Sequence, residues 1–173
     1  MSARRIIFLR HAKSAWDEPE QDDYARPLAP RGRRAAAVMG VFIRDEGLAP
    51  DLVLCSGAKR ARETWEIVSA CFGKRPPVEH EEALYMVTPD RLLKRIRKVP
   101  DTAQSVLVVG HEGGVDALAR ALSANGPAAL RRRLSEKFPT AALAVVAVDL
   151  AHWTELVEGT GTLTAFATPK DLV

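Results

Sequence analysis

Three short, continuously apolar runs constrain the fold of this chain more than anything else in it. Residues 6–9, 52–55 and 105–110 are rich in Val, Ile and Leu and present no polar face. Strands of that kind are buried on both sides, as in a parallel sheet covered by helices, whereas a sheet with one wet face alternates polar and apolar residues. The stretches between them carry helical periodicity. A helix is predicted over about 31–46, with Ala35, Val38, Met39 and Phe42 at i, i+3, i+4 and i+7 and Gly47 as its stop. A second runs from Ser56, as N-cap, to about residue 72, with Ala61, Thr64, Trp65 and Val68 as its buried stripe. Residues 76–81 suit a short strand. Thr88 and Pro89 then open a helix whose apolar side is Leu92, Leu93 and Ile96. After the 105–110 run, Val115, Leu118, Ala119 and Leu122 mark another helix, broken by Asn125, Gly126 and Pro127. Residues 128–140 resist assignment, and 141–149 and 162–167 read as a terminal pair of strands joined through 158–161. Strand–helix alternation over the first two-thirds predicts an α/β fold with three layers, α/β/α, and a mostly parallel central sheet.

Length and composition narrow the functional classes. The 173 residues suit a single domain, 1–173, with a substantial core. No apolar run approaches the ~20 residues that a membrane span needs, and the start of the chain leads into a strand rather than a secretory segment. A cytoplasmic protein is expected, with no membrane partner. Twenty-five basic against 22 acidic residues leave +3, and aromatics are only 6%. That balance is too mild, and too poor in stacking rings, to indicate nucleic acid. Cys55 and Cys71 are too few for a metal site of their own or a disulfide framework, and are expected reduced and buried.

Chemistry gathers at the strand ends. In an open parallel sheet, ligands bind beyond the carboxyl ends of the strands. Arg10 and His11 directly follow the first run, His111 follows the 105–110 run, and Arg60 lies in the first turn of the helix after the second. Two guanidiniums and two imidazoles are thus expected on one edge, with no obvious carboxylate partner. Guanidinium forks match phosphate oxygens, and helix N-termini near Ser56 and Glu112 would add free N–H groups. An imidazole in such a site, kept neutral by neighbouring positive charge, is a nucleophile for an in-line phosphoryl transfer that needs no metal or cofactor. Lys13 and Ser14 are expected at the mouth of the pocket. The segment 13–28, with Glu18, Glu20, Asp22 and Asp23, reads as a loop over the sheet edge.

The same residues resemble the histidine phosphatase superfamily, the phosphoglycerate mutase-like group. Arg10-His11-Ala12, continued by Lys13-Ser14, is similar to the SixA-type phosphohistidine phosphatase branch, as are Arg26-Pro27-Leu28 and Arg31-Gly32. Ser56 through Thr64 resembles the family's S-x-x-x-R-A-x-x-T segment, and Val108-Val109-Gly110-His111 its second-histidine segment. The resemblance runs in order from residue 6 to about 125. It implies a phosphoglycerate mutase-like fold, His11 as nucleophile, and Arg10, Arg60 and His111 as the phosphate pocket. It further implies a phosphorylated protein or a small phosphorylated molecule as substrate. Two departures stand out. Ala12 replaces the usual glycine, and Leu84-Tyr85-Met86 places a thioether where many relatives carry a glutamic acid. Without that acid, phosphohistidine, whose imidazole leaves easily, is favoured over a sugar-type ester; Glu82, or Glu81, is the substitute acid to watch.

Other readings remain open at this level. A small-molecule phosphomonoesterase of the same superfamily and a non-catalytic phosphoprotein-binding module fit the same residues. A cysteine phosphatase does not, because a Cys-x5-Arg loop starting at Cys55 would need arginine where Ala61 stands. His80 and His152 lack strand-end context. The basic stretches 91–98 and 131–133 read as solvated surface.

Overall fold

In the computed structural model, which describes residues 2–173, the strands are β1 (Ser2–Arg10), β2 (Leu52–Ser56), β3 (Val78–Glu81), β4 (Ser105–Gly110), β5 (Leu143–Leu150) and β6 (Thr162–Ala167). They form one sheet in the order β3-β2-β4-β1-β5-β6. The β3/β2, β2/β4 and β4/β1 pairs are parallel, and only β5 runs against the rest. The sheet is therefore mostly parallel, as expected, and the terminal strands are an antiparallel pair.

The helices are α1 (Pro30–Asp45), α2 (Lys59–Ser69), α3 (Pro89–Ile96), α4 (Val115–Leu122) and α5 (Ala128–Glu136). Alternate residues of the central strands feed two separate cores. Ile7, Leu9, Val53, Cys55, Leu107 and Val109 pack with α1 and α2 on one face. Ile6, Phe8, Leu54, Val106 and Val108 pack with α3, α4 and Leu134 of α5 on the other. Both faces of β1, β2 and β4 are buried, which is why those runs have no polar side. No helix among the described residues is long and apolar enough to cross a membrane.

Several elements differ from the sequence expectation, each for a physical reason. The buried face of α1 runs through Gly32, Ala36, Met39, Gly40 and Ile43, while Ala35, Val38 and Phe42 flank it half-buried. Two glycines turn the helix: a Cβ at Gly32 would overlap the Lys13 carbonyl, and one at Gly40 would sit 2.6 Å from Cys71 Sγ. Apolar counting overlooks such a face because glycine has no side chain to count. Ser56 is not the N-cap of α2. That place falls to Ala58, Ser56 ends β2, and the helix stops at Ser69. Residues 128–136 form α5, whose only buried residue is Leu134, so no apolar period marks it. Finally, β5 starts at Leu143 rather than 141, because Ala141 has a left-handed φ of 62° that no strand continues through.

Candidate active site

Sheet order brings the predicted residues together. β1 and β4 are neighbours in register, with Arg10 opposite Gly110, and the His11 N–H donates to the Gly110 carbonyl (2.9 Å). His11 and His111 therefore leave adjacent strand ends side by side, their ring centroids 5.2 Å apart. β2 lies on the other flank of β4, so α2 starts over the same edge and carries Arg60 in from its first turn. α2 and α4 leave neighbouring strands for opposite faces of the sheet, which opens a crevice between them. Arg60 Nε donates toward His11 Nε2 at 3.4 Å, and its Nη2 lies 3.5 Å from His111 Nδ1. These groups line a cleft of about 300 Å³ together with Arg10, Lys13 and Ser14.

The end of β1 is held from two sides. Thr64 Oγ1, fully buried on α2, accepts the Ala12 N–H at 3.0 Å and donates to the Arg60 carbonyl at 2.7 Å. One hydroxyl thus ties the segment after His11 to the turn that carries Arg60. From the other side, the Ala141 N–H donates to both the Arg10 and His11 carbonyls, at 3.1 and 3.0 Å. Ala141 and Met86 are the two non-glycine residues with left-handed φ among the described residues, and Met86 lines the cleft. Strain of this kind persists where surrounding contacts over-determine the backbone.

His11 Nδ1 lies 2.7 Å from the Ala12 carbonyl, so Nδ1 carries the proton and donates it there. Nε2 is left with a lone pair inside the cleft. Burial is the main reason the ring stays neutral. Its pKa drops from 6.5 to about 4, with Arg60, Arg10 and Arg26 adding to the effect of burial and the Ala12 carbonyl opposing it. The neighbouring positive charges act in the expected direction, and desolvation, which the sequence does not reveal, comes before them. His111 is pushed lower still, to about 3, by burial and then by His11 and Arg60.

Carboxylates are present after all, contrary to expectation. Asp23, in a 3₁₀ turn of the 13–28 segment, is bonded by Arg60 Nη2 to its Oδ2 at 3.1 Å and by Arg26 Nε to its Oδ1 at 3.0 Å. Tyr85 donates its hydroxyl to the same carboxylate. That hydroxyl, then Arg26 and Arg60, hold Asp23 down at about 2, so it is an anion at neutral pH. Glu112 pairs with Arg10 Nη2 at 3.5 Å, and Arg10 Nη1 donates to the Phe138 carbonyl at 2.9 Å. Arg10 Nε is buried with no hydrogen-bond partner among the described residues. Arg26 is a third guanidinium on the cleft, donating to Ser14 Oγ at 2.6 Å and stacked on Trp16. Sequence reasoning noted Arg26 within a motif but gave it no place in the site. Asp23, 37 residues from Arg60 in the chain, gave no sequence signal beyond its acidic neighbours. Ser56 also belongs to the site, its Oγ 2.7 Å from His111 Nε2.

Glu82 stands apart from this group. It opens the 3₁₀ turn Glu82–Leu84 after β3, is exposed, and is not among the residues lining the cleft, whereas Met86 is. Glu81 is taken by Arg95, whose Nε donates to it at 2.9 Å. Cys55 is buried away from the cleft with its pKa raised to about 12 by burial. Among the described residues, no group of three or more His, Cys, Asp or Glu side chains is placed to hold a metal ion.

Comparison with known proteins bears on this geometry. Residues 6–85 match the model of the histidine phosphatase superfamily (branch 1). An uncharacterized protein of Mycobacterium tuberculosis is 41% identical over 164 residues, covering 94% of this chain and all of that relative. A SixA protein of Nakamurella multipartitia, provisionally described as a phosphohistidine phosphatase, superimposes with a TM-score of 0.85 at 28% identity, covering 98% of both chains. The protein histidine phosphatase SixA in complex with tungstate superimposes at 0.76 with 25% identity, over 98% of this chain and 99% of that one. The fold is phosphoglycerate mutase-like, and the chain belongs to the histidine phosphatase superfamily, in its SixA-type branch.

Proposed function

We propose that this protein is a metal-independent phosphatase that takes phosphate from phosphohistidine in a protein substrate through a phosphohistidine intermediate on His11. The observation that carries this reading is the state of His11: a neutral imidazole whose Nε2 lone pair faces a cleft lined by three guanidiniums. Nε2 attacks phosphorus, the N–P bond to the substrate imidazole breaks, and that imidazole leaves with its electron pair and takes up a proton. Water then attacks the phosphorus on His11, releasing inorganic phosphate and restoring the free ring. Arg10, Arg26 and Arg60 stabilise the three equatorial oxygens, supplying the positive charge that a metal provides elsewhere. The unpartnered Arg10 Nε is a donor ready for one of them. Ser56 Oγ accepts the Ala58 N–H, at 3.2 Å, and lies 2.7 Å from His111 Nε2. Arg60 Nη2, which can only donate, lies 3.5 Å from His111 Nδ1, so Nδ1 accepts there and the His111 proton sits on Nε2, donated to Ser56 Oγ.

The substrate class follows from what the cleft lacks. Met86 lines the cleft where the family resemblance implies an acid, and a thioether has no proton to give. Asp23 and Glu112, the carboxylates on the cleft, are both paired with guanidiniums. An alkoxide leaving group gains about 10²–10⁴-fold from a general acid, and an imidazole leaving group needs little of that help. The test is a rate comparison, in EDTA, between a phosphohistidine protein and small sugar and glycerate phosphates. The protein is expected to lead by about 10² or more in kcat/KM. Comparable rates on the esters would overturn the substrate assignment and point to Glu112 as an acid. Loss of activity in the chelator would overturn metal independence.

A further inference from the structure

The wall of the catalytic cleft continues into a larger groove of about 480 Å³ that shares Lys13 and Thr140 with it. Its sides come from three places far apart in the chain: the first turn of α1, the end of α5 and the 3₁₀ turn Pro169–Leu172 after β6. Five cations line it, Lys13, Arg31, Arg133, Lys137 and Lys170, against two carboxylates, Glu136 and Asp171. Asp171 is already engaged, by Arg133 Nη2 at 2.6 Å and by the Thr168 N–H at 2.9 Å. Arg31, Lys137 and Lys170 are exposed, and among the described residues none of the three is paired with a carboxylate. The excess of three positive charges in this one groove equals the net charge of the whole chain. Its floor is apolar: Phe166 lies under the Arg133 guanidinium, 5.0 Å from ring centroid to Cζ, and edge-on to Phe138.

Of the two stretches that look basic in the sequence, 131–133 gives the groove only Arg133 and 91–98 gives it nothing. Arg95 in α3 is tied to Glu79 and Glu81, and Arg97 to the Leu156 carbonyl. Arg131 and Arg132 face a different cavity, beside Arg120. A small phosphorylated molecule held in the 300 Å³ cleft has no reason to reach Arg31 or Lys170. A protein presenting its phosphate to His11 must lay the surface around that phosphate along the cleft wall, and the groove is the part of the wall with unpaired charge.

We propose that this groove, resting on the reading of a protein substrate above, is the docking surface for an acidic segment flanking the phosphorylated residue of that protein. Exposed cations around a cleft raise the encounter rate with a partner of opposite charge and make it depend on salt. A triple charge reversal, Arg31→Glu with Lys137→Glu and Lys170→Glu, tests this without touching any group placed in the catalytic cleft. The substrates are an acidic phosphohistidine protein and free phosphohistidine, each assayed at several ionic strengths. The variant is expected to lose about tenfold in kcat/KM on the protein at low salt, through KM rather than kcat, with a flatter salt dependence. Its rate on free phosphohistidine is expected to stay within about twofold of the wild type, which also shows that it folds. An unchanged rate on the protein, or an equal loss on both substrates, would overturn the docking surface while leaving the phosphatase reading intact. No turnover of the phosphoprotein by the wild type would instead overturn the reading of a protein substrate, and the docking surface with it.

Discussion

Acidification from pH 7.5 to 5.5 separates this site from one built on an ordinary histidine. A nucleophilic imidazole must be unprotonated, and kcat/KM reports the ionisation of the free enzyme. With a pKa of about 4, about 97% of His11 is neutral at pH 5.5, whereas a histidine titrating at 6.5 would be about 9% neutral there. Activity at pH 5.5 is thus expected to stay close to its pH 7.5 value rather than fall about tenfold. His111 lies beside His11 and is depressed as well, so the acid limb belongs to the pair and is expected near pH 4. The assay is kcat/KM across pH 3.5–8 on two substrates whose own phosphates titrate differently, because a limb set by the enzyme is common to both. Stability has to be followed alongside. Both rings are neutral in the folded protein and take up a proton on unfolding below pH 6.5. Stability therefore falls as pH drops from 6.5 toward 4, by up to about 1.4 kcal/mol per pH unit for each ring. Circular dichroism at the assay temperature distinguishes loss of fold from loss of nucleophile. A shared acid limb centred near 6.5, in protein that is still folded, would refute the burial argument for His11.

Two substitutions probe the support of the site and a rival chemistry. Thr64→Val keeps the shape but leaves the buried Ala12 N–H without its acceptor, at a cost of about 1–3 kcal/mol. At about 2–4 °C per kcal/mol for a chain of this size, Tm is expected to fall by several degrees, with kcat lowered more than KM; an unchanged Tm and kcat would show that the hydroxyl holds nothing in place. Cys55→Ser is expected to leave the rate nearly intact, since the thiol is buried off the cleft and donates only to the Ser56 and Ala61 carbonyls; an inactive but folded variant would revive a cysteine nucleophile.

The legible part of the fold was the part dictated by burial. Strands β1, β2 and β4 have both faces covered, so their sequences carry the signal without help from the rest of the chain. Residues at strand ends inherit that clarity, and Arg10, His11, Arg60 and His111 meet where the sheet order requires. What stayed hidden depends on contacts between distant segments or on groups without an apolar signature. The inner face of α1 is set by glycines whose role appears only against Lys13 and Cys71. α5 rests on Leu134 alone among buried residues, and polar turns of helix read the same as loop. Asp23 reaches Arg60 and Tyr85 because the 13–28 segment folds back over the edge, pinned by the bridge between Ser14 and Leu28. Ser56 offered a plausible cap from its position, yet its hydroxyl is the partner of His111. Glu82 was singled out by its closeness in sequence to Met86, but a 3₁₀ turn separates the two.

The role of His11 is tested most directly by rapid quenching of the enzyme during turnover, followed by mapping of the phosphorylated residue under alkaline conditions. Phosphate is expected on His11, stable in base and lost in acid, and His11→Ala is expected to carry none and to lose about 10³-fold or more in rate. Acid-stable phosphate on any residue, or a labelled and active His11→Ala, would contradict a nucleophilic imidazole at the end of β1.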